Sequence, residues 1–111
     1  MRIAIVGSRD FPRLEEVRQF VYEQERTTVI ISGGARGVDS IAVEEARKLH
    51  MPYEVYPADW NRYGRSAGFR RNQTIVDAAD EVVAFWDGES RGTKHTIDLA
   101  RAAKKPVRII Q

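Results

Sequence analysis

Thr28-Val29-Ile30-Ile31-Ser32-Gly33-Gly34-Ala35-Arg36-Gly37-Val38 is the stretch whose reading decides the fold. A β-branched apolar run of strand length stops at two glycines, and beyond them Val38, Ile41, Ala42, Ala46 and Leu49 recur with helical period. A strand that passes through a glycine turn into a helix is the first half of a βαβ unit. The pattern repeats on both sides. Upstream, Ile3-Ala4-Ile5-Val6 is a short apolar run closed by Gly7, as expected of a strand buried on both faces. Asp10, ahead of Phe11-Pro12, is placed to cap a helix in which Leu14, Val17, Phe20 and Val21 face one way, running to about Glu25.

Downstream, Pro52 ends the second helix, Tyr53 to Tyr56 forms a third strand and Pro57 closes it. A helix from about Phe69 to Ala79 turns Ile75, Val76 and Ala79 inward, and Val82 to Trp86 is a fourth buried strand ended by Asp87-Gly88. A last helix follows Gly92 with Ile97, Leu99, Ala100 and Ala103, then Val107 to Ile110 supplies a fifth strand. The longest irregular stretch is Pro57 to Gly68. Strands alternating with helices predict a single domain over residues 1–111: a three-layer, Rossmann-like, doubly wound and mostly parallel five-stranded sheet. In the expected order 3-2-1-4-5, ligands bind outside the carboxyl ends of the strands, where the order reverses between strands one and four.

Composition fits one compact core: 111 residues, 42% hydrophobic and 31% charged. The absence of cysteine excludes thiolate zinc sites, thiol catalysis and a disulfide framework, and leads us to expect a cytoplasmic protein. No apolar run approaches the roughly 18 residues of a membrane span, so no membrane partner is expected. A net charge of +2 gives no general attraction to polyanions, but the charge is uneven. Trp60 to Arg71 holds Arg62, Arg65, Arg70 and Arg71 with no acid, interleaved with Trp60, Tyr63 and Phe69. That combination suits stacked bases and neutralised phosphates.

Three loops at the predicted ligand edge contain both glycine and hydroxyl residues: Gly7-Ser8-Arg9-Asp10, Ser32-Gly33-Gly34-Ala35-Arg36-Gly37, and Asp87 to Thr93. Glycine lets backbone N–H groups approach a phosphate, and a helix starting there adds free donors and the positive end of its dipole. Gly92, Thr93 and Thr96 stand at the start of the last helix, where hydroxyls bond phosphate oxygens or cap the backbone. Arg9 follows the first glycine and either projects at the switch point or pairs with a surface acid. A guanidinium fork on Arg70 or Arg71 suits a phosphate, and at most one of these adjacent helical arginines reaches the site. Asp39 and Asn72 either bond a ribose or base or serve the helix starts beside them. Trp86 belongs to the core or to the wall of a base pocket, and His95 reads as a surface residue. Asp59 and Asp87 are too few for a dedicated Mg²⁺ site, and no metal is expected. Neither GxGxxG nor GxxxxGK[ST] occurs, which removes the usual fingerprints of hydride transfer and triphosphate hydrolysis.

The ordered set GSRDF (7–11), SGGARGVDSIA (32–42), GRSAGFRRNQTIVDAADEVVAF (64–85) and SRGTKHTIDLA (90–100) resembles the SLOG superfamily, in its YspA/cpYpsA-related branch. SGGARGVDSIA and FRRN are also similar to segments of DprA, and the SRGT turn to the PGGxGTxxE loop of the LOG phosphoribohydrolases. The resemblance implies a Rossmann-like domain that binds a nucleotide or nucleotide derivative in sensing or processing, with Arg70 or Arg71 on its phosphate. The glutamate of the LOG loop is Thr96 here, so the carboxylate that assists N-glycosidic cleavage is missing. Two other readings accompany this one. One is a nucleotide hydrolase using Asp39 or Asp87 as acid or base, and the other a DprA-like binder of single-stranded nucleic acid through the arginine-aromatic stretch. A homo-oligomer is expected of so small a chain.

Overall fold

The computed structural model describes residues 1–111. Five strands, β1 (Arg2–Gly7), β2 (Val29–Ser32), β3 (Tyr53–Val55), β4 (Glu81–Phe85) and β5 (Val107–Ile110), form one sheet in the order β3-β2-β1-β4-β5. Every neighbouring pair is parallel, with Ala4 opposite both Ile31 and Val82 at the centre. The fold is therefore the expected Rossmann-like α/β domain, with a wholly parallel sheet.

Helices α1 (Leu14–Tyr22) and α2 (Val38–Lys48) cover one face; α4 (Ala67–Ala78) and α5 (Arg91–Ala102) cover the other. Alternate residues of the central strands feed the two cores. Ile3, Ile5, Ile30, Val83 and Phe85 pack under α1 and α2, while Ala4, Val6, Ile31, Val82 and Ala84 meet Ile75, Val76 and Ile97 of α4 and α5. No helix is long and apolar enough to cross a membrane.

Two local expectations are corrected. The first helix begins at Leu14, with Arg13 and not Asp10 at its cap position, and ends at Tyr22 instead of near Glu25. The cause is Phe11, which is buried with its ring edge-on to Phe85, centroids 5.6 Å apart. The chain dips into the core before it turns helical. The stretch from Pro57 to Gly68 is also less irregular than expected: it holds a short helix α3 (Trp60–Tyr63) and a 3-10 turn (Gly64–Ser66), and α4 starts at Ala67. The Asp59 carboxylate caps α3 by accepting from the Arg62 amide at 3.1 Å.

Candidate functional site

The carboxyl ends of β1 and β4 part where the strand order reverses, and a cleft of about 560 Å³ opens there. Its floor is Gly7 at the end of β1 and Ser8 after it, with Ala35 of the loop before α2 and Asp39 in the first turn of that helix. One wall is the turn into α5, Asp87 to Thr96; the other is α3 and α4, presenting Trp60, Arg65, Phe69 and Arg71. Of the residues expected at the site, Gly7, Ser8, Arg9, Ala35, Asp39, Arg71, Asn72, Asp87, Gly92, Thr93 and Thr96 line this cleft.

Gly33, Gly34, Gly37 and Arg70 do not line it. Gly33 lies behind it and makes room for two side chains. A β-carbon there would stand 2.4 Å from Arg71 Nη1 and 2.9 Å from Asp39 Oδ2, so only glycine lets these groups come together. Gly37, at φ +82°, turns the chain into α2 against the Arg9 backbone. Arg70 points outward, its guanidinium 4.5 Å from the Tyr63 ring centroid and its Nε donating to Ser66 Oγ at 3.1 Å. Arg71 is thus the arginine that reaches the site. Helical spacing carried that signal, since Arg71 is four residues from buried Ile75 and Arg70 four residues from exposed Thr74.

Backbone carbonyls and a buried amide hold Arg71 in place. Its Nη1 donates to Gly33 O at 2.8 Å and its Nε to Asn72 Oδ1 at 3.1 Å, which leaves the Nη2 edge free to donate elsewhere. Asn72, buried between α4 and α5, donates in turn to Gly92 O at 3.3 Å. Asp39 faces this assembly. Burial pushes its carboxyl up to about 6, against the opposing pull of the Arg71 guanidinium and the Ala35 amide.

The turn into α5 is built to present donors. Asp87 Oδ1 accepts from the Glu89 and Ser90 amides, both at 2.8 Å, and the Ser90 bond first, then the Glu89 bond, hold its carboxyl below the usual range. Asp87 N in turn donates to Ser8 Oγ at 3.1 Å, locking the β1 and β4 loops together. Ser90 caps α5, its Oγ facing Thr93 N and Thr93 Oγ1, while the space around a β-carbon on Gly92 is open. First-turn amides and the helix dipole there favour an anion. Thr96, one turn into α5, donates its hydroxyl to Gly92 O at 3.2 Å.

Trp60 and Phe69 are 56% and 54% exposed, so the α3–α4 wall offers two aromatic faces to whatever enters. Gly68 lies beneath the Trp60 ring. Arg65, Gly68, Asp10, Glu89 and Ser90 also line the cleft; sequence reading named Asp10, Glu89 and Ser90 only as members of the edge loops, and did not single out Gly68. Arg65 was legible only as one of a run of arginines, because the turn that aims it at the cleft has no apolar periodicity. No cluster of three or more acidic, histidine or cysteine side chains suited to a metal ion occurs.

Sheet order, crossovers and a cleft at the switch point define the protein as a Rossmann-like α/β domain. The particular family follows from sequence: the chain belongs to the YspA, cpYpsA-related SLOG family, whose model matches residues 1–63. It is 34% identical over 116 residues to the "Gene 61 protein" of Mycobacterium phage D29, a match covering 96% of this chain and 93% of that one. Among solved structures, the structural-genomics target TM1055 is similar at a TM-score of 0.71 and 21% identity, over 96% of this chain and 71% of that one. DprA from Streptococcus pneumoniae matches at a TM-score of 0.73 and 21% identity, over 99% of this chain and 50% of DprA. DprA from Helicobacter pylori, described for its single-stranded DNA binding mode, matches at 0.66 and 20% identity, over 98% of this chain and 64% of its own length. These structural likenesses establish the fold.

Proposed function

We propose that the chain binds a nucleotide or nucleotide derivative in this cleft. The observation that carries the reading is the convergence of two chemistries on one cavity: the open edge of Arg71 and the Gly92–Thr93 turn supply the first, exposed Trp60 and Phe69 the second. A phosphate meets donors and fixed positive charge at the first, and a base stacks on the second. The volume is within the ordinary range for small-molecule sites. Thermal unfolding across nucleoside mono- and diphosphates, cyclic nucleotides, ADP-ribose and NAD tests it. A ligand at about 100 times its Kd stabilises the native state by about 2.7 kcal/mol, which is several degrees for a domain of this size. No shift from any member of the panel contradicts the reading.

A second reading, single-stranded nucleic acid, is favoured by a ridge beside the cleft. The Arg62 and Arg70 guanidinium groups both lie over the Tyr63 ring, 5.1 and 4.5 Å from its centroid, and α3 and the 3-10 turn bury no residue. Here one nucleotide fills the cleft and the next phosphates cross the ridge, a chemistry in keeping with the DNA binding described for the Helicobacter pylori relative. Oligonucleotide affinity then falls steeply with salt and drops in Arg62→Ala/Arg70→Ala, while the mononucleotide response stays intact. Affinity flat with salt and unchanged in the double variant sinks this second reading.

A further inference from the structure

The hydrogen bonds around Asn72 fix the state of a residue outside the cleft. Arg71 Nε can only donate, so the Asn72 atom it meets is the amide oxygen, and the amide nitrogen must donate. That nitrogen faces Gly92 O at 3.3 Å and His95 Nδ1 at 3.2 Å. An Nδ1 that accepts carries no hydrogen, so the neutral imidazole holds its hydrogen on Nε2. The same ring also meets Phe69, with centroids 4.3 Å apart and planes inclined by 37°. Phe69 and Asn72 are three residues apart on α4 and so present themselves together to His95 on α5.

His95 therefore touches both halves of the cleft without lining it: Phe69 of the aromatic wall directly, and Arg71 of the anion side through Asn72. We propose that His95 is a positioning residue that sets the aromatic wall and the anion grip in register, so that a base and a phosphate are recognised as one ligand. The proposal rests on the nucleotide reading of the cleft. Loss of the imidazole frees the Phe69 ring to rotate and leaves the buried Asn72 amide short of an acceptor, which loosens Arg71.

Two substitutions separate the two contacts. His95→Asn puts a carbonyl oxygen near the place of Nδ1, keeping the acceptor and losing the ring; His95→Phe keeps a ring and loses the acceptor. The probes are AMP, which carries base and phosphate, and ribose 5-phosphate, which lacks the base. His95→Asn is expected to weaken AMP about three- to tenfold and leave ribose 5-phosphate unchanged, whereas His95→Phe weakens both. Nitrogen NMR of the full chain reads the tautomer directly, with exposed His50 as the internal control, since the chain has 2 histidines. A hydrogen on Nε2 of His95 is expected, with a signal that moves when AMP is added.

A hydrogen on Nδ1, or a mixture of tautomers, with AMP binding intact overturns the brace alone. So does wild-type affinity for both probes in both variants. A locked Nε2–H ring in a chain that binds neither probe nor any nucleotide of the panel overturns the nucleotide reading, and with it any role of His95 in ligand recognition.

Discussion

The α1–α2 face and the carboxyl edge of the sheet use arginine in opposite ways. On the first, Arg18 meets Glu15, Glu44 and Glu45 at 3.0, 3.4 and 3.5 Å, and Lys48 meets Glu44 at 3.2 Å. At the second, Arg9, Arg62, Arg65, Arg70 and Arg71 enter no ion pair. Three of them are nonetheless held, Arg62 and Arg70 on the Tyr63 ring and Arg71 on Gly33 O and Asn72. A paired surface charge is nearly cancelled and adds little to stability. A cation fixed in place outside an ion pair keeps its donors for a ligand, and the fixing has already removed part of the entropy that binding would lose. The site is thus marked by arginines that are held outside any ion pair, with the buried Asp39 as the one acid whose titration responds to Arg71 and Arg9.

Asp39 gives the largest expected effect. It is the buried acid of that edge, with a folded-state value of about 6 against an ordinary 3.8. The folded chain holds this proton more tightly than the unfolded one, so the contribution to stability is complete below the ordinary value and lost as pH rises through about 6. By linkage the ionised carboxylate costs on the order of 3 kcal/mol at about pH 8. Asp39→Asn should therefore gain most of that stability at about pH 8 and almost none at about pH 4, in urea titrations of both chains. A difference that does not change with pH means the carboxyl is not desolvated as described.

Arg71→Ala comes next. Removing the held guanidinium should weaken a phosphate-bearing ligand by tens-fold, about 2 kcal/mol, in a titration followed by calorimetry. An unchanged Kd would place the anion elsewhere. Arg18→Ala, on the compensated face, should change unfolding stability by less than about 1 kcal/mol and ligand affinity not at all. An effect on binding there would break the contrast between the two regions.

Strand order and the ligand edge were legible because short buried strands between glycine and proline punctuation leave few alternatives for a βαβ chain. The start of α1 was not: Asp10 has the chemistry of a cap, but burial of Phe11 against Phe85 overrides it. The ordered turns between Trp60 and Ser66 were hidden because they bury nothing, leaving no apolar period to read. Gly33 was legible as a glycine of the site, yet the room it makes for Arg71 spans 38 residues and exists only in three dimensions. His95 was hidden for the same reason, since its meaning comes from Asn72, 23 residues away.

The most direct test of the central claim is the unfolding temperature of Gly92→Ala with and without the nucleotide that shifts the wild type most. A methyl group there meets nothing within 4 Å in the protein and improves helix propensity, so the unliganded variant should melt at or above the wild-type temperature. The same methyl projects from a turn that lines the cleft, where a bound phosphate approaches the backbone. The account predicts that the nucleotide-induced shift collapses while the fold is kept or strengthened. A variant that responds to the nucleotide as fully as the wild type would contradict it.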